Sequence, residues 1–196
     1  MKIFRQKGSI KNLFQANDKK IVFAIDNLTE QSLLNTELET LSNSIYEKFK
    51  INSDLEFSTV NAKSEVKMIP IPQRRELFSA SVDYTFEING NTDLFNYQPI
   101  NQSRIAHMDG VLTDSHLIVT VYTQWSTPDL SEKIKKEVKD TVVLYVEDIV
   151  SNVSRLKEEV EDYNSSRKTE ILDLITKSKI TLEDKKKLND SLNPFK

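Results

Sequence analysis

The residues with the clearest capacity for enzymatic chemistry are Asp54 and a triplet that follows it, Glu65-Val66-Lys67. In a magnesium-dependent nuclease, an acid on one strand and Glu-x-Lys on the next could bind the metal through both acids. The lysine would stabilise the attacking hydroxide or the developing negative charge. The same triplet is expected by chance on a solvent-facing strand, because 29% of the residues are charged. Asp54, Glu65 and Lys67 therefore form an alternative hypothesis, a nuclease site.

The only two histidines, His107 and His116, form a second candidate site, with Asp109 and Asp114 nearby. If a hairpin turn places the histidines opposite each other, the imidazoles and carboxylates could hold a metal or support proton transfer. Two histidines without a third soft ligand are a weak metal signature. We therefore favour a polar role on a loop and predict no metal site.

Two adjacent arginines, Arg74 and Arg75, follow Pro70 and Pro72. A turn that presents two arginines could bind a phosphate or an acidic partner. Exposed arginines also serve solubility alone, and we favour that simpler interpretation. Arg74 and Arg75 remain the candidates for an anion contact.

The composition excludes several catalytic classes. The chain has 196 residues, no cysteine and three glycines. It therefore has no thiol nucleophile, zinc ribbon or iron–sulfur ligand. It also contains no glycine-rich nucleotide-binding loop and no Gly-x-Ser-x-Gly motif. The sequence predicts no complete catalytic set and no cofactor.

The charge pattern restricts the partners. With 27 basic and 30 acidic side chains, the net charge is −3, so the surface is well solvated and carries no basic bias. Nucleic-acid binding is therefore not favoured. No run of about 18 apolar residues occurs, and the N-terminus lacks the apolar stretch of a signal peptide. We expect a soluble, cytoplasmic protein that does not enter a membrane.

The first elements that would position these residues are an apolar run and a helix. The run Ile21–Ile25 predicts a short strand or a buried lead into a helix. An amphipathic helix is predicted over about 29–50, with Asn27 or Thr29 as its N-cap.

A β-rich middle follows, with strand-like segments at 54–60 and 66–71. The clearest strand is Phe78–Ile88, where apolar and polar residues alternate up to a turn at Asn89-Gly90-Asn91. A hairpin of 105–112 and 116–125 is predicted next, with its turn near 113–115.

The C-terminal third is predicted to be helical. Ser126-Thr127-Pro128-Asp129 is a strong helix start, and apolar residues then recur every three or four positions as far as Tyr163. The stripe pauses at Asn164-Ser165-Ser166. We therefore expect two shorter helices beyond it, over about 168–177 and 181–192, the last opened by a capping box at Thr181.

These elements predict an α+β fold. It would comprise an antiparallel sheet of about five or six strands, an N-terminal helix, a long C-terminal helix and a short helical tail. Residues 1–125 would form the helix and sheet, and residues 126–196 the long helix and tail packed on the sheet, as one composite domain. The role of residues 1–26 is not predicted.

The apolar stripe of the long helix admits two interpretations. It could pack across the sheet, but a helix of roughly 50 Å exceeds a typical strand of about 20 Å, so part of it should overhang. The tail could fold back on that part, or a second chain could cover it. The residues expected at such an interface are Val142, Tyr145, Ile149, Val153 and Leu156.

Four segments carry a resemblance: "LFNYQP" from Leu94, "LIVTVYTQ" from Leu117, the helical run from Ile134 to Asn164, and "KKKLNDSLNP" from Lys185. In this order they resemble an uncharacterised bacterial domain in which an "LFxYxP" strand segment precedes a long helix and a leucine-proline terminus. The match covers about residues 78–194. Such domains look like regulatory or sensor modules of anti-phage defence effectors.

The resemblance implies a non-catalytic role, with Leu94, Phe95, Tyr97 and Pro99 as structural landmarks. Our leading hypothesis is a non-enzymatic interaction or sensor module, self-associating through the long helix or acting on a partner effector protein. The chain would act alone through a partner or as the front module of a longer effector. The magnesium-dependent nuclease is the alternative, and a small-ligand pocket between the sheet and the long helix is a third possibility.

Overall fold

The structure is a computed structural model that describes residues 3–71, 74–100, 108–126 and 129–193, with side chains except at 74–77 and 124–126. The chain divides into two compact units. The first comprises Met1–Lys11 and Asn52–Glu159, and the second comprises Asn12–Ile51 and Val160–Lys196. The second boundary therefore falls inside the long helix rather than at its start.

The first unit contains an antiparallel sheet of four strands in the order β1-β2-β4-β3. The strands are β1 (Leu55–Ile71), β2 (Arg74–Gly90), β3 (Asp109–Leu112) and β4 (His116–Ser126). The α+β class is confirmed, but within the described residues the sheet has four strands and not the expected five or six. The segments 54–60 and 66–71 belong to one strand, because β2 pairs with both and only a register shift between Ser58 and Lys63 separates them.

The predicted alternation of β2 is confirmed. Ala80, Val82, Phe86 and Ile88 are buried, and they share a face of the sheet. The strand ends at Gly90, whose φ of 81° is in the left-handed region that favours glycine. The hairpin turn is also confirmed, since β3 ends at Leu112 and β4 begins at His116. Residues 105–107 of the expected first hairpin strand lie outside the described residues.

The start of the chain packs into the first unit, which the sequence did not predict. Phe4 is fully buried, its backbone N–H donates to the carbonyl oxygen of Phe95 at 2.7 Å, and the two rings lie 5.5 Å apart. The first three residues of the "LFNYQP" segment belong to a 3-10 helix (Thr92–Asn96) instead of a strand. Leu94, Phe95 and Tyr97 are buried, so this segment contributes anchoring aromatic and aliphatic side chains.

The helices before the sheet are α1 (Ile10–Asp26), α2 (Glu30–Asn35) and α3 (Leu38–Phe49). The apolar run at 21–25 belongs to α1, so a strand there was wrong. The single helix over 29–50 was also wrong, because Thr36 is extended and separates α2 from α3. Thr29 is the predicted N-cap, and its Oγ1 accepts from the N–H of Ser32 at 3.1 Å.

The long helix α4 (Glu132–Ser191) continues for 60 residues without the predicted breaks. Asn164 does not end it, since its side chain is buried and donates to the carbonyl oxygen of Ile51 at 2.8 Å. The same side chain accepts from the N–H of Ile51 at 3.0 Å. Thr181 does not cap a new helix either, because its hydroxyl donates to the carbonyl oxygen of Lys177 at 2.9 Å. The separate tail helices were therefore wrong.

The second unit has its own apolar core. Its buried members come from α1, α2, α3 and α4 and are Ile21, Ile25, Leu33, Ile45, Ile171 and Ile175. Beside this core, the Tyr163 hydroxyl donates to Asp18 at 2.7 Å and accepts from the Asn17 amide at 3.1 Å. The Tyr163 ring stacks on Phe14 at 4.3 Å between centroids. Burial first, and the bond to Asp18 second, raise the pKa of Tyr163 to about 12.

Candidate functional site

The outer face of the sheet carries two residues of the hypothetical nuclease site, Glu65 and Lys67. Glu65 of β1 lies opposite Asp83 of β2, which lies opposite Thr120 of β4, which lies opposite Asp109 of β3. Residues opposite each other share a face, so these four form one row across the sheet. We call it the acidic row.

Lys67 neutralises the centre of the acidic row. Its Nζ lies 2.6 Å from Oδ2 of Asp83, and the Thr120 hydroxyl donates to Oδ1 of the same carboxylate at 2.7 Å. The hydrogen bond from Lys67 lowers the pKa of Asp83, and that bond also raises the pKa of Lys67. Asp83 is therefore an ionised carboxylate, and each of its two oxygens has a protein partner.

Asp54 is not part of the acidic row. It precedes β1, and its carbonyl oxygen accepts from the N–H of Asn91, whereas Glu65 lies opposite Asp83. Asn91 follows Asp83 by eight residues along β2 and its turn. At the rise of an extended strand, this spacing corresponds to roughly 25 Å between the partner of Asp54 and the partner of Glu65. The structure therefore brings Glu65 and Lys67 together but leaves Asp54 apart from them. Among the described residues, no group of three or more acidic or histidine side chains could hold a metal ion.

The acid that does face Glu65, Asp83, was missed by sequence reasoning. The pairing of Glu65 with Asp83 depends on the register shift between Ser58 and Lys63, where β1 contains more residues than the segment of β2 that it pairs with. No residue pattern in the sequence indicates that shift, although Asp83 does stand among the polar positions of the clearest strand.

The remaining polar candidates lie apart from the acidic row. His116 is exposed at the start of β4, with its Nδ1 2.8 Å from the hydroxyl of Ser115. His107 lies outside the described residues, so the paired-histidine hypothesis stays a prediction. Arg74 and Arg75 are the first residues of β2, and their side chains lie outside the described part of the chain.

A shallow groove of about 350 Å³ lies between β4 and α4 in the first unit. The residues that line it are Val121, Tyr122, Thr123, Ile134, Glu137, Val138 and Thr141. Its volume is at the lower limit of small-molecule sites, and Glu137 is its one charged side chain. The third possibility, a ligand pocket between the sheet and the long helix, would correspond to this groove.

The predicted interface residues of α4 lie on its inward face. Ile149, Val153 and Leu156 are buried within the chain. Val142 and Tyr145 are partly buried against a cluster of Val82, Val121 and Val138. These side chains are therefore engaged in the core of the chain itself, and their role in self-association stays a prediction.

The opposite face of α4 also carries apolar side chains. Val143, Leu144 and Val150 expose 55%, 61% and 52% of their surface. At 100° per residue, Val143 and Val150 point away from the buried Val138 and Leu156, on the solvent side. Lys136, Asp140 and Glu147 share this side and are exposed. We call these six residues the outer face of α4; its apolar members lie off the three- to four-residue stripe of the inward side, and sequence reasoning did not single them out.

Comparisons with known proteins identify no relative: no protein-family model, curated protein or solved structure matches the chain. In the described part of the chain, no helix is both long enough and apolar enough to cross a membrane.

Proposed function

We propose that this chain is a non-enzymatic protein-interaction module that self-associates through the outer face of α4. The observation that carries the proposal is the exposure of three large apolar side chains within about two helical turns, on the side of α4 opposite its core contacts. Exposed apolar patches on a charged protein commonly mark interaction sites. The expected sensor or regulatory role in a bacterial, cytoplasmic defence system is part of this proposal and rests on the resemblance of the second half of the chain.

Charge complementarity favours a second copy as the occupant. Lys136 and Glu147 are eleven residues apart, so they lie on the same side of α4 about 16 Å from each other. Val143 and Leu144 lie between them. Neither Lys136 nor Glu147 forms an ion pair within the described part of the chain.

Two copies of α4 can pack antiparallel, with a twofold axis between Thr141 and Val142. In this arrangement the charged side chains at both ends of the surface have partners of opposite charge. Lys136 of each copy then faces Glu147 of the other, and Val143 and Leu144 of both copies lie near the middle, beside Asp140. A parallel arrangement would instead place like charges opposite each other, which is unfavourable. We therefore propose an antiparallel homodimer.

Sedimentation velocity of charge-reversal variants tests this proposal. Lys136→Glu and Glu147→Lys should each weaken dimerisation about tenfold or more, because each places like charges at both ends of the interface. The double variant Lys136→Glu/Glu147→Lys restores both pairs and should regain most of the wild-type affinity. Dimerisation that is unchanged in the single variants, or not regained in the double variant, would refute the arrangement.

An apolar variant has a matched control on the same helix. Leu144→Glu should abolish the dimer, since it replaces an apolar contact near the centre of the interface by a carboxylate and adds to the negative charge of Asp140 there. Leu188 is similarly exposed, at 59%, and lies outside the outer face. Leu188→Glu should leave dimerisation unchanged. Circular dichroism should show that both variants remain folded, because neither side chain is part of a core.

A further inference from the structure

A concave surface lies on α1 and α3 within the second unit, and it uses none of the residues of the outer face of α4. It is open to solvent and has a volume of about 710 Å³, within the range of ligand sites in proteins. The residues that line it are Lys19, Lys20, Phe23, Ala24, Asn27, Lys48 and Phe49. We call it the Phe23 pocket.

Two aromatic side chains, Phe23 and Phe49, line the Phe23 pocket. Phe23 exposes 71% of its surface, while its helix neighbours Ile21 and Ile25 are buried in the core of the unit. The backbone and side-chain N–H groups of Asn27 both donate to the carbonyl oxygen of Phe23, at 3.2 and 2.7 Å. These bonds hold the C-terminal turn of α1, so the exposed ring projects from a fixed backbone. A large aromatic side chain in this position offers contact area without a partner in the unit.

The charged side chains that line the Phe23 pocket are all basic. Lys19, Lys20 and Lys48 line it, and no carboxylate does. Lys19 and Lys20 form no ion pair within the described residues, and Lys48 lies over the ring of Phe49, 5.4 Å from its centroid. Three lysines around an apolar concavity give it a positive potential that no side chain in the lining offsets.

We propose that the Phe23 pocket binds a peptide segment of a partner protein that presents a large apolar side chain between carboxylates. The volume accommodates one or two such side chains against Phe23 and Phe49, and the lysines would pair with the flanking acids. A nucleic acid is disfavoured, since Asp18 and Asp26 interrupt the basic residues of α1 and the net charge is −3. This interaction goes beyond self-association and does not depend on it.

A peptide-display selection tests the proposal while the partner is still unidentified. The wild-type protein and the Phe23→Ser variant would be screened against one random peptide library. Sequences enriched on the wild type alone should combine an aromatic or large aliphatic residue with flanking acids. No difference in enrichment between the two proteins, or enriched sequences without acids, would overturn the proposal.

Fluorescence anisotropy with the enriched peptides gives the quantitative test. Phe23→Ser should weaken binding at least tenfold and Lys20→Glu about fivefold, since an apolar anchor carries more affinity than one exposed charge pair. Val22→Ser is the matched control, because Val22 is 46% exposed on the same helix and does not line the pocket. Leu144→Glu should also bind unchanged, so failure of this proposal and of the dimer are separately visible.

Two further probes distinguish other partners. A labelled oligothymidylate and vesicles containing phosphatidylserine would be titrated under the same conditions. Neither should bind with an affinity that depends on Phe23. Binding of either probe that is tighter than that of the peptides and is lost in Phe23→Ser would assign the pocket to a nucleic acid or a membrane surface and overturn the peptide proposal.

Discussion

Replacement of Asn164 by alanine should destabilise the second unit, although a helix interior usually favours alanine over asparagine. Asn164 is buried in the middle of α4, where its side chain donates to the carbonyl oxygen of Ile51 and accepts from the N–H of the same residue. These two bonds attach the residue that follows α3 to α4. Asn164→Ala removes both bonds at once.

The magnitude follows from opposing contributions. Each lost hydrogen bond costs about 1 kcal/mol, and incomplete solvation of the Ile51 groups in the partly buried site adds to this cost. The higher helix propensity of alanine returns about 0.5 kcal/mol. We expect a net loss of about 2 kcal/mol in the free energy of unfolding of the second unit. Ser165→Ala, at the exposed next position, should change that free energy by less than about 0.5 kcal/mol.

Native-state hydrogen exchange is the appropriate assay, because a chain of two compact units need not unfold in one step. The exchange rates of the Ile51 amide and of the core amides of α1 and α4 should rise more than tenfold in Asn164→Ala. Asn164→Asp should be worse, since it keeps the acceptor but sets a carboxylate against the Ile51 carbonyl oxygen. Exchange in Asn164→Ala equal to that in Ser165→Ala would refute the reasoning.

Three other substitutions have effects on stability that the contacts in the structure predict. Gly110→Ala should cost more than about 2 kcal/mol in thermal unfolding, because a β-carbon there meets the backbone of β4, whereas Val111→Ala, at an exposed position, should cost less than about 1 kcal/mol. Tyr163 has a pKa raised above its unfolded value, so its contribution to stability is full below about pH 10 and is lost as the pH rises towards about 12; denaturation in Tyr163→Phe should show a smaller loss over that interval, and an identical loss would contradict the assignment. Lys67→Met should leave the urea midpoint of unfolding nearly unchanged, because the lysine of this ion pair is half exposed; a clear fall in that midpoint would show that the acidic row depends on Lys67.

The sequence predicted those elements in which the buried side chains recur at one regular spacing. β2 was predictable because its apolar side chains alternate strictly and are buried on one face. α1 was not, although Ile10, Phe14, Ile21 and Ile25 have helical spacing and are buried. Its exposed Val22 and Phe23 fill the gap between Ile21 and Ile25, so the segment resembles a continuous apolar strand.

Other errors concern polar residues whose hydrogen-bond partners differ from those that the local sequence suggests. Asn164 and Thr181 resemble helix ends in the sequence, yet the first bonds to Ile51 and the second to its own helix. The acidic row likewise depends on strand register, which places Asp83 rather than Asp54 opposite Glu65. Local residue types therefore predicted the class of fold, whereas long-range pairing decided which polar side chains meet.

The central claim, antiparallel self-association through the outer face of α4, can be tested by one distance. The chain has no cysteine, so Ser154→Cys provides a unique, exposed spin-label site in each copy. In the proposed dimer the two Ser154 positions lie about 25 residues apart along the helix direction, which gives roughly 40 Å between labels. Pulsed dipolar electron paramagnetic resonance should report that distance and should lose it in Leu144→Glu. An absent dipolar signal, or a distance below about 20 Å, would contradict the account.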